Sequence, residues 1–185
     1  MKHQSRPQTH RAGFTLMELL VVISIIVILS GLTVGGFAFV NQKQAKSQAE
    51  IQIGLLQLAL EDYKSDNGEY PVGRSSTGTG QTGNIYDALF PSNSNEKVYL
   101  PELDPKNDSQ GWLGGQTSGT RLTIYDPWGT EYYYRCNDPA RPTRSYSANP
   151  DFDLWSAGPD GKTNAGSRGS YDPEHPDNLD DIRGW

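Results

Sequence analysis

Hydrophobic and polar positions divide the chain into three stretches of different character. From Leu19 to Val40 there is no charge, and only Ser24, Ser30 and Thr33 carry polar side chains. As a helix this run covers about 33 Å, enough to cross a bilayer core. From Ala45 the pattern turns amphipathic, with Ala45, Ala49, Ile53, Leu56, Leu60 and Tyr63 at spacings of four, four, three, four and three. Lys46, Gln48, Glu50, Gln52, Glu61 and Lys64 fall elsewhere, so these apolar residues form one face of a helix. No proline interrupts residues 14–66. The prediction is one helix, membrane-spanning over 14–40 and amphipathic over 41–66, stopped by Asn67-Gly68 and packed by its second half on a sheet.

The rest, residues 67–185, reads as loops and short strands. Arg121–Tyr125 and Glu131–Arg135 flank Asp126-Pro127-Trp128-Gly129-Thr130, which predicts an antiparallel hairpin with a type I turn. Asp153–Ser156 supplies a third strand, and Asn84–Phe90 one short helical turn. Gly73–Gly83 and Asp104–Gly119 are polar loops, with Trp112 expected against the sheet. The fold class is therefore α+β, a long N-terminal helix on a small antiparallel sheet. At strand spacing the Tyr and Trp residues suit a core better than a stacking surface.

Charge changes the picture at the N-terminus. Residues 1–13 carry Lys2, Arg6 and Arg11 and no acid, which keeps this end cytoplasmic and sends the remainder outward. No A-x-A-like exit follows the apolar run, so the run stays attached; cleavage is expected earlier, between Gly13 and Phe14. The new α-amine, mostly cationic at neutral pH, would lie one turn from Glu18. An unpaired acid inside a bilayer costs about 3 kcal/mol. Pairing with the amine of the same chain or of a neighbouring copy would relieve that cost, and the second would fix the register between packed helices. Snorkelling of Glu18 at an ordinary anchor is the alternative. Gly31 and Gly35 have a small-xxx-small spacing that suits helix packing, plain tolerance of glycine in a membrane helix being the alternative.

With 16 Lys and Arg against 22 Asp and Glu, charge attracts no nucleic acid. Cys136 is the only cysteine, so no intrachain disulfide can brace a thin, Gly- and Pro-rich domain. Gly78-Thr79-Gly80-Gln81-Thr82-Gly83 matches G-x-G-x-x-G but follows no strand, which removes the dinucleotide reading. The C-terminal Ser156-Ala157-Gly158-Pro159-Asp160-Gly161-Lys162 and Asp180-Asp181-Ile182-Arg183-Gly184-Trp185 carry acids that converge if the loop closes. Oxygen donors of this kind suit Ca²⁺ rather than zinc, for which His175 and Cys136 are too few; a solvated acidic tail is the alternative.

Gly13-Phe14-Thr15-Leu16-Met17-Glu18 resembles the class III signal of type IV pilins and pseudopilins. Tyr63-Lys64-Ser65-Asp66-Asn67-Gly68-Glu69-Tyr70-Pro71, Asp126-Pro127-Trp128-Gly129 and the two C-terminal segments extend the likeness along the chain. Together they resemble the major pseudopilins of type II secretion systems. The resemblance implies a pilin-like fold with a C-terminal calcium loop, Ca²⁺ being held by Asp160, Asp180 and Asp181 with carbonyls near Ala157 and Lys162. It also implies processing by a prepilin peptidase at Gly13 and Phe14, N-methylation, and assembly through Phe14 and Glu18. The expected product is no enzyme but a helical homopolymer. Its expected partners are minor pseudopilins and an inner-membrane assembly platform, with the C-terminal domain in the periplasm. Two departures stand out. Residues 163–179 form an insertion whose Asp172, Glu174 and Asp177 are substitute ligands, and the region 73–119 is enlarged. A type IV or competence pilin, and an exported enzyme on an anchor, remain the other readings.

Overall fold

The computed structural model describes residues 14–72, 82–93, 95–108, 110–114, 122–137, 147–166 and 171–185, with the side chains of 32–39 and 82–84 outside the described set. The leader with Gly13, and the glycine-rich loop at 73–81, lie outside the described residues. Helix α1 runs from Leu16 to Asn67, as the absence of proline predicts. The chain divides into two compact units, one ending at Asn41 and the other beginning at Gln42.

In the first unit the described helix exposes a run of apolar residues from Leu19 to Leu29, of which Leu19, Ile23, Ile26 and Ile28 are all more than half exposed. Among the described residues no helix is long and apolar enough to cross a membrane. The expected span continues through 32–39, whose side chains are outside that set.

In the second unit the apolar stripe of α1 becomes core. Ala49, Ile53, Leu56 and Leu60 are buried, while Ala45 and Tyr63 sit half-buried at its two ends. The helix ends where Gly68 adopts φ +82°, its N–H donating to the Lys64 carbonyl at 2.7 Å. Only glycine takes that left-handed cap without steric cost, which is why Asn67-Gly68 works as the stop. Helix α2 (Thr82–Leu89) starts two residues before the predicted turn and buries Ile85, Tyr86 and Leu89.

Among the described residues five short strands form two sheets rather than one. β1 (Leu113–Gly114) pairs antiparallel with β2 (Thr123–Ile124), Leu113 opposite Ile124. β3 (Tyr133–Cys136), β4 (Phe152–Ser156) and β5 (Ile182–Arg183) form an antiparallel sheet in the order β3-β4-β5. The predicted hairpin is correct only at its tight end. Gly129 N–H donates to the Asp126 carbonyl at 3.0 Å, and Tyr125 bridges Glu131. Beyond that bridge the arms part, β2 to β1 and β3 to β4. The reason is β4, whose five residues are all buried. A strand covered on both faces belongs in a sheet centre, and it takes β3 on one side and β5 on the other.

The core joins the helix stripe to Tyr132, Tyr134, Leu154 and Ile182, with Trp112 tucked beneath and its Nε1 donating to the Glu102 carbonyl at 3.1 Å. Gln52, expected on the polar side, is instead buried and accepts the Tyr132 hydroxyl at 2.8 Å. Gln57 donates to the Gly184 carbonyl, and a Cβ at Gly184 would lie 2.9 Å from Gln57 Nε2. Close approach at this glycine lets the C-terminal strand lie against α1, which carries Asp180 and Asp181 to the end of β4.

Candidate functional site

Two constellations carry the expected chemistry, one at the start of α1 and one in the loop after β4. At the first, Thr15 precedes the helix and Glu18 is its third residue. Thr15 N–H and Thr15 Oγ1–H both donate to Glu18 Oε2, at 2.9 and 2.8 Å, while Glu18 N–H donates to Thr15 Oγ1 at 3.2 Å. This is a capping box, each residue satisfying helix-end donors for the other. The carboxylate is thus tied to Thr15. The Thr-x-x-Glu spacing was visible in the sequence, and its meaning as a helix start was missed. Phe14 beside it is 85% exposed.

The second constellation begins where β4 ends. Ala157 is buried, and the chain turns at Gly158, with φ +67°, and Gly161, with φ +65°. Gly161 N–H donates to the Gly158 carbonyl at 3.3 Å. A Cβ on Gly158 would lie 2.4 Å from the Asp180 carbonyl oxygen, so the two loop segments touch backbone to backbone. Asp160 N–H donates to Asp180 Oδ2 at 3.2 Å, and Asp160 Oδ1 accepts Lys162 N–H at 2.8 Å. Asp160 and Lys162 are exposed, while Asp180 and Asp181 are half-buried.

Asp181 has two unlike oxygens. Oδ2 accepts Thr163 Oγ1–H at 2.6 Å and Tyr171 O–H at 2.7 Å. Oδ1 is buried with no hydrogen-bond partner. Burial pushes the carboxyl above the usual range, the nearby charges of Asp180 and Asp160 act in the same direction, and the two hydroxyls oppose them. A buried bare carboxylate oxygen beside two further acids is costly without a cation.

Among the described residues, no three Asp, Glu, His or Cys groups stand together as a ready metal site. The donor chemistry nevertheless fits a hard cation: oxygens only, and one of them orphaned. Of the substitute ligands, Asp172 Oδ1 accepts Glu174 N–H at 3.0 Å, and Asp177 lies 3.7 Å from His175 Nδ1. Glu174 itself is exposed. Sequence reasoning missed Thr163, Tyr171 and Asn178, residues with no motif around them. It also missed the tie in which Ser156 Oγ–H donates to Asp126 Oδ2 at 2.6 Å and accepts Gly158 N–H at 3.0 Å. That pair links the turn before β3 to the loop.

The pattern of the prokaryotic N-terminal methylation motif family matches residues 8–34, the stretch that contains Gly13, Phe14 and Glu18. Over far more of its length the chain is similar to proteins named type II secretion system core protein G. It is 32% identical to the one from Escherichia coli over 161 residues, covering 85% of this chain and 88% of that protein. The chain belongs to the type II secretion system core protein G family. With the relative from Dickeya chrysanthemi it shares 30% identity over 96% of this chain and 88% of that protein. With that from Pseudomonas aeruginosa it shares 30% over 95% of each. Core protein G is a pilin-like structural subunit of secretion machinery and not an enzyme, and its family anchors to membranes through the N-terminal motif. The departures at 73–119 and 163–179 lie within a chain that matches its relatives nearly end to end.

Proposed function

We propose that this chain, once cut between Gly13 and Phe14 and methylated on Phe14, is a polymerising subunit of the type II secretion pseudopilus. Before assembly it rests in the inner membrane as a single-pass protein with its C-terminal domain in the periplasm. Joining a helical filament of its own kind, on an inner-membrane platform and with minor pseudopilins, it moves exported proteins toward the outer membrane as the filament grows.

The observation that carries this reading is the uncovered apolar helix from Leu19 to Leu29, headed by one carboxylate. Such a surface needs lipid or other helices around it. Leaving lipid for a filament core exchanges one apolar environment for another, so close packing and the Glu18 partner decide register. Intact mass of the membrane-extracted protein tests the processing step: loss of residues 1–13 with one added methyl is expected, and a retained leader refutes it. Glu18→Ala tests assembly, with loss of filaments and of export expected; normal yields of both would remove the pairing.

In the same reading Asp160, Asp180 and Asp181, with carbonyls near Ala157 and Lys162, hold Ca²⁺ in the loop. The ion supplies positive charge to carboxylates that otherwise repel one another, and stabilises the folded subunit by mass action. What supports it is the orphaned Asp181 Oδ1.

A further inference from the structure

The two described pieces of the inserted stretch, 163–166 and 171–179, do not drift as a polar loop. They are closed on each other by one side chain. Asn178, 3% exposed, accepts Asn164 N–H at 2.5 Å through Oδ1 and donates through Nδ2 to the carbonyls of Asn164 at 3.0 Å and Asp172 at 2.7 Å. From that closed pair Thr163 and Tyr171 reach one atom, Asp181 Oδ2. Both are held from behind. Thr163 Oγ1 accepts Trp155 Nε1–H at 3.0 Å. The Tyr171 ring stands edge-on to Trp155 and to Trp185, with centroids 5.6 and 5.5 Å away.

Two donors on Oδ2 and none on Oδ1 fix the carboxylate plane and leave its second oxygen bare. We propose that Thr163 and Tyr171 are positioning residues for the cation site, locking Asp181 by Oδ2 so that Oδ1 is presented to the ion. Asn178 holds the two described pieces of the insertion together around them. This rests on the calcium reading above and adds residues from the insertion that none of the expected ligand positions include. Hydrogen-bonded partners that orient a metal-ligating carboxylate typically change metal affinity by about 10–100-fold when removed.

The test uses full-length protein in detergent. Ca²⁺ affinity is measured by displacement of Tb³⁺, whose emission is read on excitation of the tryptophans, and metal-free thermal midpoints are taken for every variant. Tyr171→Phe and Thr163→Val are expected to weaken Ca²⁺ binding about tenfold or more, and Thr163→Ser, which keeps the hydroxyl, to restore it. Should Tyr171→Phe fail to fold, the Thr163→Val and Thr163→Ser pair decides alone. Affinity equal to or tighter than that of the unaltered chain in both hydroxyl-removing variants overturns the proposal. If the unaltered chain binds neither ion, the calcium reading itself fails and takes the proposal with it; that result is recognisable from the unaltered protein alone.

Discussion

Replacing Gly158 by alanine is the sharpest test of how the C-terminal loop is built, because two costs coincide there and a nearby glycine separates them. Gly158 and Gly161 have nearly the same backbone, φ +67° and +65°. An alanine in that left-handed region costs about 1–2 kcal/mol at either position. At Gly161 the added Cβ meets only Thr130 Oγ1 at 3.2 Å, and a hydroxyl can move aside. At Gly158 it meets Asp180 backbone, oxygen at 2.4 Å and carbon at 2.9 Å, which can retreat only by opening the loop. Overpacking of this kind adds roughly 1–3 kcal/mol. Gly161→Ala should therefore lower stability by about 1–2 kcal/mol and Gly158→Ala by about 2–5 kcal/mol. At roughly 2–4 °C per kcal/mol, the Gly158 variant should melt between roughly 4 and 20 °C below the unaltered chain. Trp112, Trp128, Trp155 and Trp185 all lie in the second unit, so tryptophan fluorescence during thermal and urea unfolding reads this unit selectively. Equal losses for the two variants would refute the close contact between Gly158 and Asp180.

Two further outcomes follow from the buried polar groups. Tyr132→Phe removes the donor to Gln52 and leaves a buried amide oxygen bare, so a loss of about 1–3 kcal/mol in urea unfolding is expected; no loss would show that Gln52 has another partner. Burial pushes Asp126 above the ordinary carboxylate range, against hydrogen bonds from Ser156, Thr130 and Trp128. Its folded form then holds a proton more readily than the unfolded chain, so its share of stability is present at low pH and lost as pH rises through the folded value. The stability gap between the unaltered chain and Asp126→Asn should therefore be wider near pH 3 than near pH 7, and a gap that stays constant or widens with pH contradicts the assignment.

What could be read from the sequence was whatever repeats. The helix stripe from Ala49 to Leu60, the Asn67-Gly68 stop and the Asp-Pro-Trp-Gly turn each follow from local spacing, and each stands in the structure where it was expected. The parting of the hairpin was not legible, since it depends on which strand is buried on both faces. That is decided by pairing between residues far apart in the chain, β4 with β5. Gln52 escaped for a similar reason: a polar residue beside an apolar stripe reads as solvent-facing until a buried tyrosine hydroxyl arrives from another element. At the loop, the acids were evident but their neighbours were not, because Thr163, Tyr171 and Asn178 acquire meaning only once the inserted stretch closes.

The capping box at the start of α1 bears on how a membrane-resident subunit can wait before it assembles. Both Thr15 donors use Glu18 Oε2, so the second carboxylate oxygen needs no cap bond to be broken before an amine approaches. In the proposed filament a neighbour's α-amine would then add to Glu18 rather than compete with Thr15, and the helix start would survive docking. This separates two substitutions that otherwise look alike. Thr15→Ala removes the side-chain cap at a cost of about 1 kcal/mol but leaves the carboxylate, and filament yield should fall only modestly. Glu18→Ala removes the charge that the proposed pairing uses, and filaments should be lost. Electron microscopy of sheared filaments from the two variants, at matched membrane levels of subunit, makes the comparison. Equal losses would mean that the cap, and not the charge, is what assembly requires.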